Sequence, residues 1–273
     1  DHVAAHLGHH PVDRLRPAHL DQLYTLLRRT LAGSTVDRIH TSVVHPALEL
    51  AVRWQLIATN PADHHDPPPR DDTEITPPTV EQVRALITAA VPWFSCLLRI
   101  AASTGARRGT LAALRWDTVD LDQHLVRFER ALTARKVEKA NKGRRSFTAT
   151  LSTGDVAVLA AHRRAMAERA LAVGQHLDSR AYVWSPDPTG STPYWPSSIT
   201  REFARTRTRA GHPEVDLHHV KHFAVTQMLA AGIPVREVAQ RTGTTAATIE
   251  RVYAHWIPGT DRAAAEVMDR LLG

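Results

Sequence analysis

Apolar positions recur at helical spacing through most of this chain. Leu20, Leu23, Leu27 and Leu31 share one face of a helix predicted over 17–31, and Val36, Ile39, Val43, Ala47 and Ala51 do the same over 34–57. Ser34 with Asp37 reads as the N-terminal cap of the second helix and Asn60-Pro61 as its stop. The pattern then lapses over 62–78, where His64-His65-Asp66, prolines 67 to 69, Asp71-Asp72 and Pro77-Pro78 read as a linker. Beyond it, Thr79 and Gln82 have capping-box spacing ahead of Val83, Leu86 and Ile87. Pro92 suits the first turn of a helix running through Leu97, Leu98 and Ile100 toward Thr104-Gly105, and a third helix contains Leu111 and Leu114.

The period then shortens. Segments 121–130 and 145–151 alternate as strands of a small antiparallel sheet, with 136–144 as the hairpin turn region between them. Helical patterning resumes over 153–173, 197–210, 217–231, 234–241 and 245–255, and Ala263, Val267 and Leu271 continue it in the tail. The fold class expected is mainly α with a small antiparallel β-sheet. It divides into a helical domain at 1–66, a linker at 67–76 and a mixed α/β domain at 77–273.

Composition narrows the function. With 43% hydrophobic residues the chain is globular rather than disordered, and 34 basic against 28 acidic side chains favour a polyanionic partner. The single cysteine, Cys96, lies in an apolar run and reads as a buried small hydrophobe. No apolar run is long enough for a bilayer and no signal peptide is visible, so a cytoplasmic protein without a membrane partner is expected. Lysine occurs only at 136, 139, 142 and 221, with arginine supplying every other basic side chain, so those four positions are unusual.

Five segments carry candidate chemistry. In Thr104-Gly105-Ala106-Arg107-Arg108, a glycine permits a tight turn and the guanidinium of Arg107 offers a planar fork matched to two phosphate oxygens. Lys136, Lys139 and Lys142 lie together in one turn, and an ammonium releases a proton more readily than a guanidinium does. His218 and Lys221, three residues apart on a helix, share a face and are able to meet one phosphate. Thr244 follows Arg241-Thr242-Gly243 with one hydroxyl to donate. Tyr253, in Arg251-Val252-Tyr253-Ala254-His255, closes the series. Taken singly, each has an ordinary reading: a solvated arginine, a basic hairpin, a packed tyrosine.

In order and spacing these segments resemble the tyrosine recombinases of the phage-integrase type over 76–257. The region before them is similar to the core-binding domain of actinobacterial integrases. The resemblance implies that Arg107, His218 and Lys221 hold the scissile phosphate, His218 also moving protons. It further implies that Lys139 protonates the leaving 5′ oxygen and that Tyr253 attacks to give a 3′-phosphotyrosine. Arg108, Lys136, Lys142, Arg144 and Arg145 become DNA contacts. Double-stranded attachment sites, a homo-tetramer on DNA and an accessory excision factor become the expected partners, with no cofactor and no metal.

Three positions depart from the family pattern. Thr110 replaces the usual acid after Gly109, Lys221 stands at the second arginine's place, and Thr244 stands where a histidine or tryptophan is usual. Lysine keeps the charge but loses bidentate geometry, and removing one preorganised donor costs about a hundred- to a thousandfold in rate. A catalytically impaired DNA-binding relative is therefore the alternative. A metal hydrolase, suggested by 17 histidines and by His218 and His222 one turn apart, lacks a third ligand in the sequence. A helix-turn-helix regulator would explain 233–253 alone.

Overall fold

In the computed structural model, residues 2–63, 76–135, 137–140, 146–257, 266 and 268–271 are described. Two compact units divide the chain, Asp1–Glu74 and Ile75–Gly273. Among the described residues no helix is long and apolar enough to cross a membrane.

The first unit contains α1 (Ala4–Leu7), α2 (Pro17–Leu27), α3 (Gly33–Ile39) and α4 (His45–Arg53). Leu20, Leu23, Tyr24 and Leu27 of α2 bury against Val36, Val44 and Leu48, the predicted α2 face. The second helix differs from expectation in three ways. It starts at Gly33 with Ala32 as its cap, so Ser34 and Asp37 do not cap it. It ends at Arg53, where Trp54 leaves helical geometry and Gln55 takes a φ of 59°. Asn60 does not stop it; its amide donates to the His45 carbonyl and the Glu49 carboxylate of α4 and so ties the following segment back.

The third difference is a slip of the buried face. A π-helical turn over His40–Val44 separates α3 from α4, and the His45 N–H bonds to the carbonyl of His40. Pro46 has no N–H and its ring collides with the carbonyl four residues earlier, and the extra residue of a π turn relieves that collision. One inserted residue rotates the helix beyond it. Val44 and Leu48 are buried while Val43 is 51% exposed, so the inward positions are 44, 48 and 51 rather than 43, 47 and 51.

In the second unit, α5 (Val80–Ala89) begins at the predicted capping box. The Thr79 hydroxyl accepts from the Gln82 N–H at 3.2 Å, and the Gln82 side chain accepts from the Thr79 N–H at 2.9 Å. Next come α6 (Pro92–Thr104), α7 (Arg108–Ala112), a set of short strands, α8 (Thr153–Leu171), α9 (Pro196–Arg209), α10 (Leu217–Ala230), α11 (Val235–Arg241) and α12 (Ala246–Tyr253). Helix α6 is central, packing on α5, α8 and α10, and it buries Phe94, Leu97, Leu98 and Ile100. Cys96 is buried on the same helix, and burial pushes its thiol up to about 12.

The strands are β1 (Val119–Asp120), β2 (Leu125–Phe128), β3 (Arg130–Leu132), β4 (Glu138–Ala140) and β5 (Phe147–Thr150). They form a sheet ordered β1-β2-β5 and a separate β3-β4 pair, all antiparallel. The predicted sheet is the β2-β5 pairing, with Phe128 opposite Phe147. Of the hairpin turn region expected at 136–144, only residues 137–140 are described, and they do not all belong to a turn. Residues 138–140 are a strand, with Lys139 opposite Ala131 and the turn before it closed by the Val137 carbonyl accepting from the Thr133 N–H. Most of the tail at 261–273 lies outside the described residues; Leu271 is exposed.

Candidate active site

The site is built where the C-terminus of α6, the start of α10 and the end of α11 converge. Gly105 caps α6 in the left-handed region at φ 64°, and a Cβ there would lie 2.9 Å from Thr242 Cγ2. A side chain at 105 would suffer both strain and collision, so glycine is required for the turn to close on α11. The turn delivers Arg107 to the first position before α7. Its guanidinium donates to the Gly243 carbonyl at 2.7 Å and to the Thr244 hydroxyl at 3.4 Å. Gly243 is also left-handed, at φ 58°, and a Cβ on it would run into the Phe147 ring of β5.

Helix α10 presents the histidines. Asp216 caps it, accepting from the His218 N–H at 2.9 Å, while His219 Nδ1 accepts from the Asp216 N–H. His218 is held below its ordinary range by desolvation and then by the Lys221 charge, with Asp216 opposing. Lys221 is 7% exposed, and its ammonium donates to the Gly105 carbonyl at 3.0 Å and the Thr242 carbonyl at 2.9 Å. Burial, and secondarily the Arg107 charge, brings it down to about 7. A cavity of about 410 Å³ opens here, lined by Arg107, Arg108, Thr200, Asp216, His218 and Lys221. Arg108 is steadied by a hydrogen bond to the Thr200 hydroxyl. Two guanidinium groups, the Lys221 amine and an imidazole around one hollow, against the one carboxylate of Asp216, suit an anion with several oxygens.

Tyr253 does not line this cavity. It ends α12 and is 3% exposed, packed with Val225, Leu229, Val238, Ala239 and Ile249. Its hydroxyl is 2.6 Å from His222 Nδ1, and the His222 ring meets the His218 ring edge-on with centroids 4.6 Å apart. Burial raises the phenol to about 12, with the Arg107 charge pulling the other way. The same desolvation, aided by His218, His219 and Lys221, lowers His222 to about 4, so the imidazole is neutral, and in its Nε2–H tautomer Nδ1 accepts the phenolic hydrogen. His222 was not among the site residues expected from sequence. Its signal there was the one-turn spacing from His218, which read as a weak metal pair. Among the described residues no group of three or more histidine, cysteine, aspartate or glutamate side chains is placed to hold a metal ion.

Lys139 sits apart from the cavity lining, exposed on β4. Its strand is nonetheless fixed to the site. Gly109 of α7 packs so closely on β3 that a Cβ would lie 2.5 Å from the Leu132 carbonyl oxygen, and β3 carries β4. Next to Lys139, the Glu138 carboxylate accepts from Arg115 at 3.1 Å and from the Tyr182 hydroxyl at 2.5 Å, with Arg130 at 3.5 Å. Burial alone would raise Glu138, but Tyr182 and the two guanidinium groups outweigh it and hold the carboxyl below its ordinary value. Lys136, Lys142, Arg144 and Arg145 lie outside the described residues.

Sequence comparison matches residues 79–258 to the phage integrase family. Over 289 residues the chain is 24% identical to a putative prophage phiRv2 integrase of Mycobacterium tuberculosis, covering 99% of this chain and 71% of that protein. A tyrosine recombinase XerC-like protein of Caldanaerobacter subterraneus is 24% identical over 223 residues, 75% of this chain and 56% of its own. Among solved structures, the Tn1549 transposon integrase in complex with a circular intermediate DNA superposes with a TM-score of 0.71 at 15% identity. That match covers 96% of this chain and 87% of the other.

Proposed function

This chain belongs to the phage integrase family and is a tyrosine-type site-specific recombinase, and on that premise we propose that Tyr253 is its nucleophile. The phenolic oxygen attacks a DNA phosphorus, forming a 3′-phosphotyrosine and breaking the bond to the 5′ oxygen. Because the ester conserves the energy of the broken bond, the strand is rejoined without a nucleotide cofactor. Arg107, His218 and Lys221 hold the non-bridging oxygens, Thr244 adds a neutral donor, and Lys139 gives the leaving oxygen its proton. Arg108, with Lys136, Lys142, Arg144 and Arg145, contacts flanking phosphates. The partner is a double-stranded attachment site, engaged by the helical unit at the amino end and the catalytic unit after it. Four copies assemble on two such sites, with an accessory factor for excision.

The observation that carries this reading is the convergence of Arg107, His218 and Lys221 on one cavity, with the Tyr253 hydroxyl joined to the same helix through His222. One observation favours the impaired relative instead: the Lys221 ammonium is already committed to two main-chain carbonyls. A trapping assay separates the two. Nicked duplexes, enriched for binding from a randomised pool, are incubated with the protein in chelator and scored for DNA that stays protein-linked on a denaturing gel. A recombinase gives an adduct that Tyr253→Phe abolishes and Lys221→Met reduces about a hundred- to a thousandfold. Tight binding with no adduct from the unaltered protein would establish the impaired relative.

A further inference from the structure

We infer that His222, rather than His218, takes the phenolic proton of Tyr253 as its oxygen closes on phosphorus and returns it when the strand is rejoined. This rests on the reading of Tyr253 as nucleophile, and it names the base of that same step.

The phenol must give up its proton as it attacks. Tyr253 is sealed from solvent, and among the described residues the polar group in hydrogen-bond contact with its hydroxyl is His222 Nδ1 at 2.6 Å, within the reach required of a general base. No hydrogen bond joins the hydroxyl to His218, which faces the cavity and meets His222 only ring to ring. His222 is buried on α10 with Nδ1 against the phenol and its ring edge-on to that of His218, a cavity-wall residue, so it links the phenol to the phosphate site. In the resting protein the proton stays on oxygen, because the phenol lies near 12 and the imidazole near 4.

An arriving phosphate narrows that gap from both sides. The charges that depress His222 after burial are those of His218, His219 and Lys221 on its own helix; Asp216 at the helix cap opposes them, and Tyr253 faces it from α12. An anion beside His218 and Lys221 neutralises that repulsion and raises the imidazole. Bond formation to phosphorus meanwhile strips the phenolic oxygen of its basicity. The step balances: the O–P bond forms, the bond to the 5′ oxygen breaks, the phenolic proton moves to Nδ1, and the 5′ oxygen takes a proton from Lys139. Rejoining runs the same transfers backwards, with the imidazolium as acid for the departing tyrosine.

The test compares the unaltered protein, His222→Asn and Lys139→Ala in the trapping assay at saturating duplex. Asparagine places an oxygen near the Nδ1 position, so it keeps a hydrogen-bond acceptor for the hydroxyl but takes no proton. We expect His222→Asn to bind DNA and melt like the unaltered protein, yet to form adduct about a hundredfold or more slowly. Its rate should climb about tenfold per pH unit between roughly 7 and 9, as phenolate becomes available without a base. A duplex with sulfur in place of the leaving 5′ oxygen, which needs no acid, should rescue Lys139→Ala and leave His222→Asn slow. Adduct from His222→Asn within threefold of the unaltered protein, or faster than it, would sink the assignment while leaving Tyr253 as nucleophile. Absence of adduct from the unaltered protein would remove the underlying reading and this inference with it.

Discussion

A buried imidazole that stays neutral leaves a mark on stability as well as on chemistry. His222 lies near 4 in the folded protein against 6.5 for an ordinary histidine, so between those values the unfolded chain binds the proton more readily. Its contribution is fully present above about pH 6.5 and is lost as the pH falls through about 4. A gap of that size corresponds to roughly 3 kcal/mol at 1.36 kcal/mol per unit. Urea unfolding at pH 7 and 4.5 should therefore show His222→Asn losing about 2 kcal/mol less than the unaltered protein; parallel losses would mean that the ring is not held neutral. The histidine at 222 was visible in sequence but its contact with Tyr253 was not, because a hydrogen bond to a residue 31 positions away is set by how α10 meets α12. That Arg107, His218 and Lys221 would line one hollow was legible because a turn glycine and an i,i+3 spacing are local features. That the Lys221 ammonium would end on carbonyls of residues 105 and 242 was not, since both are remote in the chain.

Between α3 and α4 one added residue decides which side chains are core. Leu48→Ala should cost about 2–5 kcal/mol, as a buried leucine does, whereas Val43→Ala should change stability by less than about 0.5 kcal/mol. Chemical denaturation of the two variants checks the slip, and equal losses would restore the unbroken helix predicted from periodicity. Helical period alone does not register a π turn, although Pro46 in the pattern was its local cause. Caps were read correctly where the side chain closes its own turn, as at Thr79, and wrongly at Ser34, where the chain enters the helix through Ala32. The β3-β4 pair was missed for a related reason: strands of three residues are too short to show alternation, and Glu138 is tied across the pair to Arg130 and beyond it to the remote Arg115 and Tyr182.

Across the whole molecule the class of fold was legible, since the long helices announce themselves by period and the small β2-β5 sheet by alternation. The excess of 34 basic over 28 acidic side chains gains meaning from the cationic hollow at Arg107, Arg108 and Lys221. If the proposed set of basic residues reaches phosphates, DNA affinity should fall about a thousandfold between roughly 50 and 200 mM salt, as for a protein making about six such contacts. Fluorescence anisotropy on a labelled duplex measures the slope, and a flat salt response would exclude these residues as the binding surface.

The donors of that hollow are not waiting empty-handed. Arg107 already gives some of its hydrogens to the Gly243 carbonyl and the Thr244 hydroxyl, and Lys221 gives some of its own to the carbonyls of Gly105 and Thr242. The protein's own oxygens thus stand as rivals of the phosphate for the same hydrogens, and whatever the anion gains from a donor is reduced by the contact that donor gives up or shares. A stray phosphate ion, with nothing else to offer, wins little from that trade. A long duplex, held along its length by other contacts, can press one phosphate into the exchange, so the site discriminates by the company its ligand keeps.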